Sequence, residues 1–197
     1  MKVALIIHSN IFTKVDGMTN YYKRLCSSAG AARHGIDVFM QADEVEHQIQ
    51  KKSARFFFVK VNSSFQPLPD AFLSLSPFFF IKLLWYFHNI FKNEKYDCVQ
   101  ISSAHPFCFA AALVAKRLNI PLIGSYHTLL PEYVPYWAHE KFKSYLFGGL
   151  LTKFLCGFVK FWTHLVYGAA DLILVPTSRV KGALAKHRQD EQIDRAP

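Results

Sequence analysis

Lys2-Val3-Ala4-Leu5-Ile6-Ile7 is a short apolar run that stops at His8-Ser9. A strand with one wet face alternates apolar and polar residues. A run without alternation reads as a strand buried on both faces, as in a parallel sheet covered by helices. The period then changes. His8–Gly17 reads as a loop, and Met18, Tyr22, Leu25 and Ala29 fall at helical spacing within 18–33. Gly35 is expected to stop that helix, since glycine is free to take a positive φ. Ile36–Met40 reads as the second strand.

The same alternation continues outward from this unit. Strands are predicted over 54–61, 96–101, 120–125 and 171–175. Helices are predicted over 72–91 (starting later if Pro77 sets the first turn), 107–118 behind Pro106, 147–167 and 179–187. Residues 129–145, with Pro131 and Pro135, stay unassigned, and Gly148, Gly149 and Gly157 weaken the helix that follows. The expected class is α/β, a Rossmann-like parallel sheet with helices on both faces. A single domain is expected over 1–187, with a polar, frayed tail at 188–197. Ligands in such sheets sit beyond the carboxyl ends of the strands. Those ends fall at 8–17, 102–106, 126–132 and 176–179.

The 197 residues carry 23 Lys and Arg against 14 Asp and Glu, a net charge of +9, and 51% are hydrophobic. So apolar a chain is not a disordered one. Basic chains meet nucleic acid, anionic membranes or phosphorylated substrates. Nineteen Phe, nine Tyr and three Trp beside the charge favour a membrane surface at least as much as nucleic acid. No nucleic-acid recognition motif is present. The four cysteines form no CxxC pair, which points to a reduced, cytosolic chain. Residues 3–7 are too short for a secretory core, which needs about 7–15 apolar residues. The apolar stretches 71–91 and 145–170 are interrupted by Lys82, and by Lys153 and Lys160, so no membrane span is expected.

The common cofactor and hydrolase motifs are missing. The turn after the first strand, HSNIFTKVDGMTN at 8–20, holds one glycine where a dinucleotide fingerprint needs three. GxxxxGK[ST], HExxH, DxD and GxSxG do not occur, and the nine histidines show no metal spacing. No metal site and no resident cofactor are expected.

Four features carry chemistry. Asp16-Gly17 stands immediately before a helix, where glycine lets backbone approach a ligand and free N–H groups suit phosphate; Asp16 as a simple cap is the alternative. Ser125-Tyr126-His127-Thr128 follows a buried strand, and an imidazole there can bond a substrate hydroxyl or stand as a satisfied loop histidine. Ser103 and His105 end the central strand, where they bind an acceptor or cap the next helix. Finally, Lys143, Lys153, Lys160 and Trp162, with Lys82 beside Phe78-Phe79-Phe80, suit an apolar face seated among lipid headgroups, or else the edges of a core helix.

In this order, KVALII, DGMTNYYKRL, HGIDVFM, YDCVQISS, IPLIGSYHT and ADLILVPTS resemble the N-terminal domain of retaining GT-B glycosyltransferases of family 4. The likeness spans 2–187. SYHTLLPEYVPYW at 125–137 is similar to the branch that glycosylates diacylglycerol-type lipids. The resemblance implies a hexose moved with retention from a nucleotide-diphosphate sugar to a lipid or glycan acceptor. It places Gly17, with Asp16, at the donor's phosphate or sugar and His127 at the donor sugar near the reacting carbon. Ser103, His105, Tyr126 and Thr128 become acceptor-side candidates. The family's donor-binding second domain, with its Arg/Lys pair and EX7E motif, is not found by Pro197. The catalytic unit is therefore expected to be incomplete, with negligible activity for 1–197 alone. A non-catalytic binding module and a peripheral membrane protein are the rival expectations. The expected location is the cytoplasm, at the inner face of the membrane.

Overall fold

The apolar run at the start of the chain becomes the middle of a sheet. The structure, a computed structural model, describes residues 1–12, 16–31, 34–42, 48–51, 54–60, 77–127, 130–142 and 148–187. In chain order these form β1 (Lys2–Ile7), α1 (Gly17–Ala31), β2 (Gly35–Ala42), β3 (Gln48–Lys51) and β4 (Ala54–Lys60). Then come α2 (Pro77–Glu94), β5 (Cys98–Ile101), α3 (Pro106–Arg117), β6 (Leu122–Ser125), α4 (Leu130–Phe142), α5 (Gly148–Gly168), β7 (Leu172–Leu174) and α6 (Ser178–His187). The sheet order is β3-β4-β2-β1-β5-β6-β7. All pairings are parallel except β3 with β4. The expected Rossmann-like α/β class is what the chain adopts.

Helices cover both faces, which is why β1 has no polar side. Ala4 and Ile6 pack with Leu83, Phe87 and Phe91 of α2, with α3, and with Val166 and Tyr167 of α5. Val3, Leu5 and Ile7 pack with Tyr22 and Cys26 of α1. Phe39, Phe87 and Phe107 are fully buried, each contributing about 1.5–3 kcal/mol through the area it removes from water.

At the amino end of the strands a charged clamp joins four elements. Arg55 of β4 donates to Asp37 of β2 through both Nε (2.7 Å) and Nη2, and Nη2 also reaches Glu94 at 2.9 Å. Lys2 pairs with Glu94, and Tyr96 donates to Asp37 at 2.6 Å. Asp37 is 3% exposed, and its carboxylate oxygens accept three of these hydrogen bonds, the pairing a buried acid needs.

Several expectations change. Gly35 does not take a positive φ: it opens β2, and its N–H donates to Met1 O at 3.1 Å. Among the described residues the left-handed non-glycine positions are Lys95 (φ 53°) and Asn119 (φ 54°), where α2 and α3 end. β3 was not foreseen, because Gln48–Lys51 has no apolar period; the neighbouring β4 edge supplies its partner. The unassigned stretch holds α4 despite its prolines. Pro131 lies in the first turn, where no N–H is needed, but Pro135 is internal and removes a bond. Packing of Val134 and Ala138 against Val159 of α5 offsets that loss. The expected helix over 72–91 is seen from Pro77 onward. The tail 188–197 lies outside the described residues.

Candidate functional site

Because six strands run the same way, their carboxyl ends share one edge. The crossover leaves β1 toward β2 on one side and β5 on the other, so the crevice expected of this topology opens between β1 and β5. His127, two residues past β6, is half-buried on this edge. Its Nε2 lies 3.2 Å from the hydroxyl of Tyr22 on α1, with the two rings edge to face at 88°. The ring of Tyr21 stands 5.2 Å away. Burial holds the His127 pKa below its ordinary 6.5, so the imidazole is neutral at pH 7. Tyr22 is fully buried, and the same desolvation pushes its pKa far up, so the phenol keeps its proton.

The start of α1 faces the same neighbourhood. Asp16 Oδ1 accepts from the Thr19 N–H at 2.7 Å, and Thr19 Oγ1 accepts from the Asp16 N–H at 3.0 Å. This reciprocal cap uses the Asp16 carboxylate in holding the helix start. Gly17 is the first helical residue, one turn before Tyr21 and so on the same side of the helix. A Cβ built on Gly17 meets nothing within 4 Å, so the approach to this backbone is open among the described residues. The chain thus brings Gly17 and His127 to one neighbourhood through Tyr21 and Tyr22.

A second polar cluster lies between β1 and β5. Ser103 Oγ is 2.9 Å from Nδ1 of His8, and His8 stacks on His105 with centroids 5.3 Å apart. His105 is buried and caps α3, its Nδ1 accepting from the Phe107 N–H at 3.2 Å. Its Nδ1 is therefore bare, and the ring has a structural task besides any contact with an acceptor.

The remaining candidates are scattered. Tyr126 is buried and packs edge to face on Tyr167 of α5, away from His127. Thr128 and Lys143 lie outside the described residues. Lys82, Lys153 and Lys160 are exposed on α2 and α5. Trp162 is not with them: its indole N–H donates to Ala104 O at 2.6 Å and its ring packs on Phe109 at 4.8 Å. A carbonyl in the turn between β5 and α3 satisfies the indole donor, which turns the ring inward. Beside the lysines stand bare apolar side chains instead: Phe78 and Trp85 on α2, and Leu150, Phe154 and Phe161 on α5.

Reading the sequence missed His8, Tyr22 and Gln100. Tyr22 looked like one more apolar position of a helix. Gln100 is a polar residue inside the buried strand CVQI, and a buried amide must find a partner; it donates to Ser125 Oγ at 2.8 Å. No group of three or more metal-ligating side chains occurs among the described residues.

Comparison with known proteins places the chain. A model of Glycosyltransferase Family 4 matches residues 15–197. Sulfoquinovosyl transferase SQD2 of Arabidopsis thaliana is 34% identical over 86 residues, 44% of this chain and 14% of that protein. UDP-GlcNAc 2-epimerase from Methanocaldococcus jannaschii superposes with a TM-score of 0.59 at 13% identity, covering 98% of this chain and 44% of the epimerase. A putative UDP-N-acetylglucosamine 2-epimerase from Listeria monocytogenes gives 0.54 at 12%, covering 96% and 43%. The epimerases share the fold; the chain spans less than half the length of each of these three proteins. Since the family model covers nearly all of it, the chain belongs to Glycosyltransferase Family 4.

Proposed function

We propose that this chain is the acceptor-side half of a retaining glycosyltransferase. It moves a hexose from a nucleotide-diphosphate sugar to a lipid or glycan acceptor, with a diacylglycerol-type lipid at a membrane surface the favoured case. The observation that carries this is the neutral His127 imidazole, packed against Tyr21 and Tyr22 of the helix whose open start is Gly17. A neutral imidazole exchanges a hydrogen bond with a sugar hydroxyl without adding charge to the cleft. The free N–H groups and dipole of the α1 start favour a phosphate. His8, two strands from His127, and Ser103, one strand from it, stand on the acceptor side. The diphosphate clamp belongs to a second domain, so 1–197 alone turns over little nucleotide sugar.

The lipid acceptor draws on a separate feature. α2 and α5 flank α3, whose Phe109 touches Phe80 on one side and Trp162 on the other. Their outward faces combine Phe78, Trp85, Phe154 and Phe161 with Lys82, Lys153 and Lys160, the pattern of a face seated among anionic headgroups. That same face supports the second reading, a membrane-bound module without catalysis. One experiment separates them. In the protein carrying its donor-binding domain, His127→Ala lowers hexosyl transfer by about 10²-fold or more, the scale of losing one aimed hydrogen-bonding group, while the protein still folds with a slightly lower melting temperature, since the buried Tyr22 hydroxyl loses its partner. Wild-type rates would remove His127 from the mechanism, and a wild-type protein that binds vesicles without transferring sugar favours the module.

A further inference from the structure

We propose that Gln41, His8 and Ser103 form a binding site for the hydroxyl groups of the acceptor. The three residues stand in one row across the neighbouring strands β2, β1 and β5. The inference deepens the reading of this chain as an acceptor-side half and rests on that reading for the name of the ligand.

The row follows from the register. Ile7 of β1 pairs with Met40 of β2, and Ile6 pairs with Ile101 of β5. One residue past the first pair, His8 comes level with Gln41; two residues past the second, it comes level with Ser103. Neighbouring strands lie about 4.8 Å apart, so one small ligand can span the row. The faces agree as well. Phe39, Ile6 and Ile101 all belong to the core under α2 and α3. Side chains alternate along a strand, so Gln41, His8 and Ser103, two positions on, continue that face at the carboxyl edge. Contacts bear this out for two of them: Ser103 Oγ lies 2.9 Å from His8 Nδ1 and 3.7 Å from Sγ of Cys108 on α3. The buried ring of His105 stacks on His8.

The row has the chemistry of a hydroxyl site. It flanks the point where the strand order reverses, the place where sheets of this kind take ligands. All three residues are half-buried, so they are neither sealed in the core nor fully solvated. Oε1 of Gln41 is buried and meets no hydrogen-bond partner, an arrangement that costs stability until a partner arrives. A carboxamide, an imidazole and a hydroxyl each both donate and accept. A ligand hydroxyl does the same, whereas a phosphate oxygen only accepts. Neither the orientation of the Gln41 amide nor the direction of the Ser103–His8 bond alters this match. α2 shows where the rest of an amphiphilic acceptor goes. Its last residue, Glu94, pairs with Lys2 at the amino edge, so its start lies toward the carboxyl edge. Phe78 and Ile81 in its opening turns are 81% and 62% exposed. Hydroxyls on the row and an apolar tail along the start of α2 suit one lipid.

The test reads binding to the 1–197 chain, apart from transfer. Histidine ring signals, with His8 and His127 assigned by their loss in His8→Asn and His127→Asn, are followed by NMR as dihexanoylglycerol is added. The expected result is a saturable shift at His8. Gln41→Leu and Ser103→Ala are each expected to weaken that binding about tenfold, the scale of one hydrogen bond lost from a site. Octyl glucoside below its micelle concentration separates the sources of the hydroxyls: a His8 shift from the glycoside alone keeps the site and makes the acceptor a sugar. No shift at His8 with either probe, a shift with inorganic phosphate alone, or wild-type binding by both variants overturns the site. If Gln41→Leu does not fold, Ser103→Ala decides. The activity of His127→Ala in the complete enzyme tests the transferase reading separately, so either idea can fail while the other stands.

Discussion

Arg55 shows what one side chain does for this sheet. Its guanidinium spans Asp37 and Glu94, so β4, β2 and α2 are tied at the edge farthest from His127. Hydrogen bonds from Arg55, and then from Lys2, hold the Glu94 carboxyl down from 4.5 to about 2. A carboxyl whose pKa is lower folded than unfolded stays ionised in the fold while the unfolded chain takes up a proton. Its contribution is therefore fully present above pH 4.5 and drains away as pH falls from there to about 2. Melting followed between pH 5 and 2 is expected to show a steep fall in this window, and Glu94→Gln to flatten it. An equal slope in both proteins would detach Glu94 from acid stability. At the other edge, Asp16 shows the opposite economy: it binds Thr19 in its own first helical turn, so its part in the fold was legible as a cap.

Two glycines separate packing from function at the level of elements. Gly124 of β6 lies under α5, where an added Cβ would meet Tyr167 Cδ1 at 2.9 Å and Ala170 Cβ at 3.3 Å. The Tyr167 hydroxyl donates to Ser125 O at 3.1 Å, so the ring has little room to move. Gly124→Ala is expected to cost about 1–3 kcal/mol in urea unfolding, the usual range for overpacking. A loss below the error of the measurement would mean that α5 gives way. Gly17 has open space instead. Gly17→Ala is expected to stay within about 0.5 kcal/mol of the wild type, as surface changes do, while weakening donor binding by the complete enzyme. An unchanged KM for the nucleotide sugar would take the α1 start out of the donor site. Helix and strand order were legible at this scale because each element carries its own apolar period. β3 and α4 were not: one has no period, and the other holds Pro135 only through its contact with α5.

The molecule as a whole is polarised. The charged clamp closes the amino edge, His8, His105 and His127 stand at the carboxyl edge, and the outward faces of α2 and α5 are both basic and aromatic. No helix among the described residues is long and apolar enough to cross a membrane. Binding to anionic vesicles is expected at low salt and to weaken as salt screens the lysines. Trp85→Ser combined with Phe154→Ser should release the protein from vesicles at every salt concentration without lowering the melting temperature, since both rings are mostly exposed. Equal flotation of the variant and the wild type would leave charge as the only attraction.

Apart from β3 and α4, the sequence by itself determined the order of strands and helices, the parallel sheet and which loops stand at the carboxyl ends of its strands. Those follow from periods read over a few neighbouring residues. Only the tertiary structure decided which polar groups meet. His8 joins Ser103 across 95 positions, Tyr22 joins His127 across 105, and Trp162 turns inward to Ala104 across 58. Hydrogen bonds are made over a few ångströms of space, and nothing in a local apolar pattern records which distant donor will arrive beside which acceptor once the helices dock.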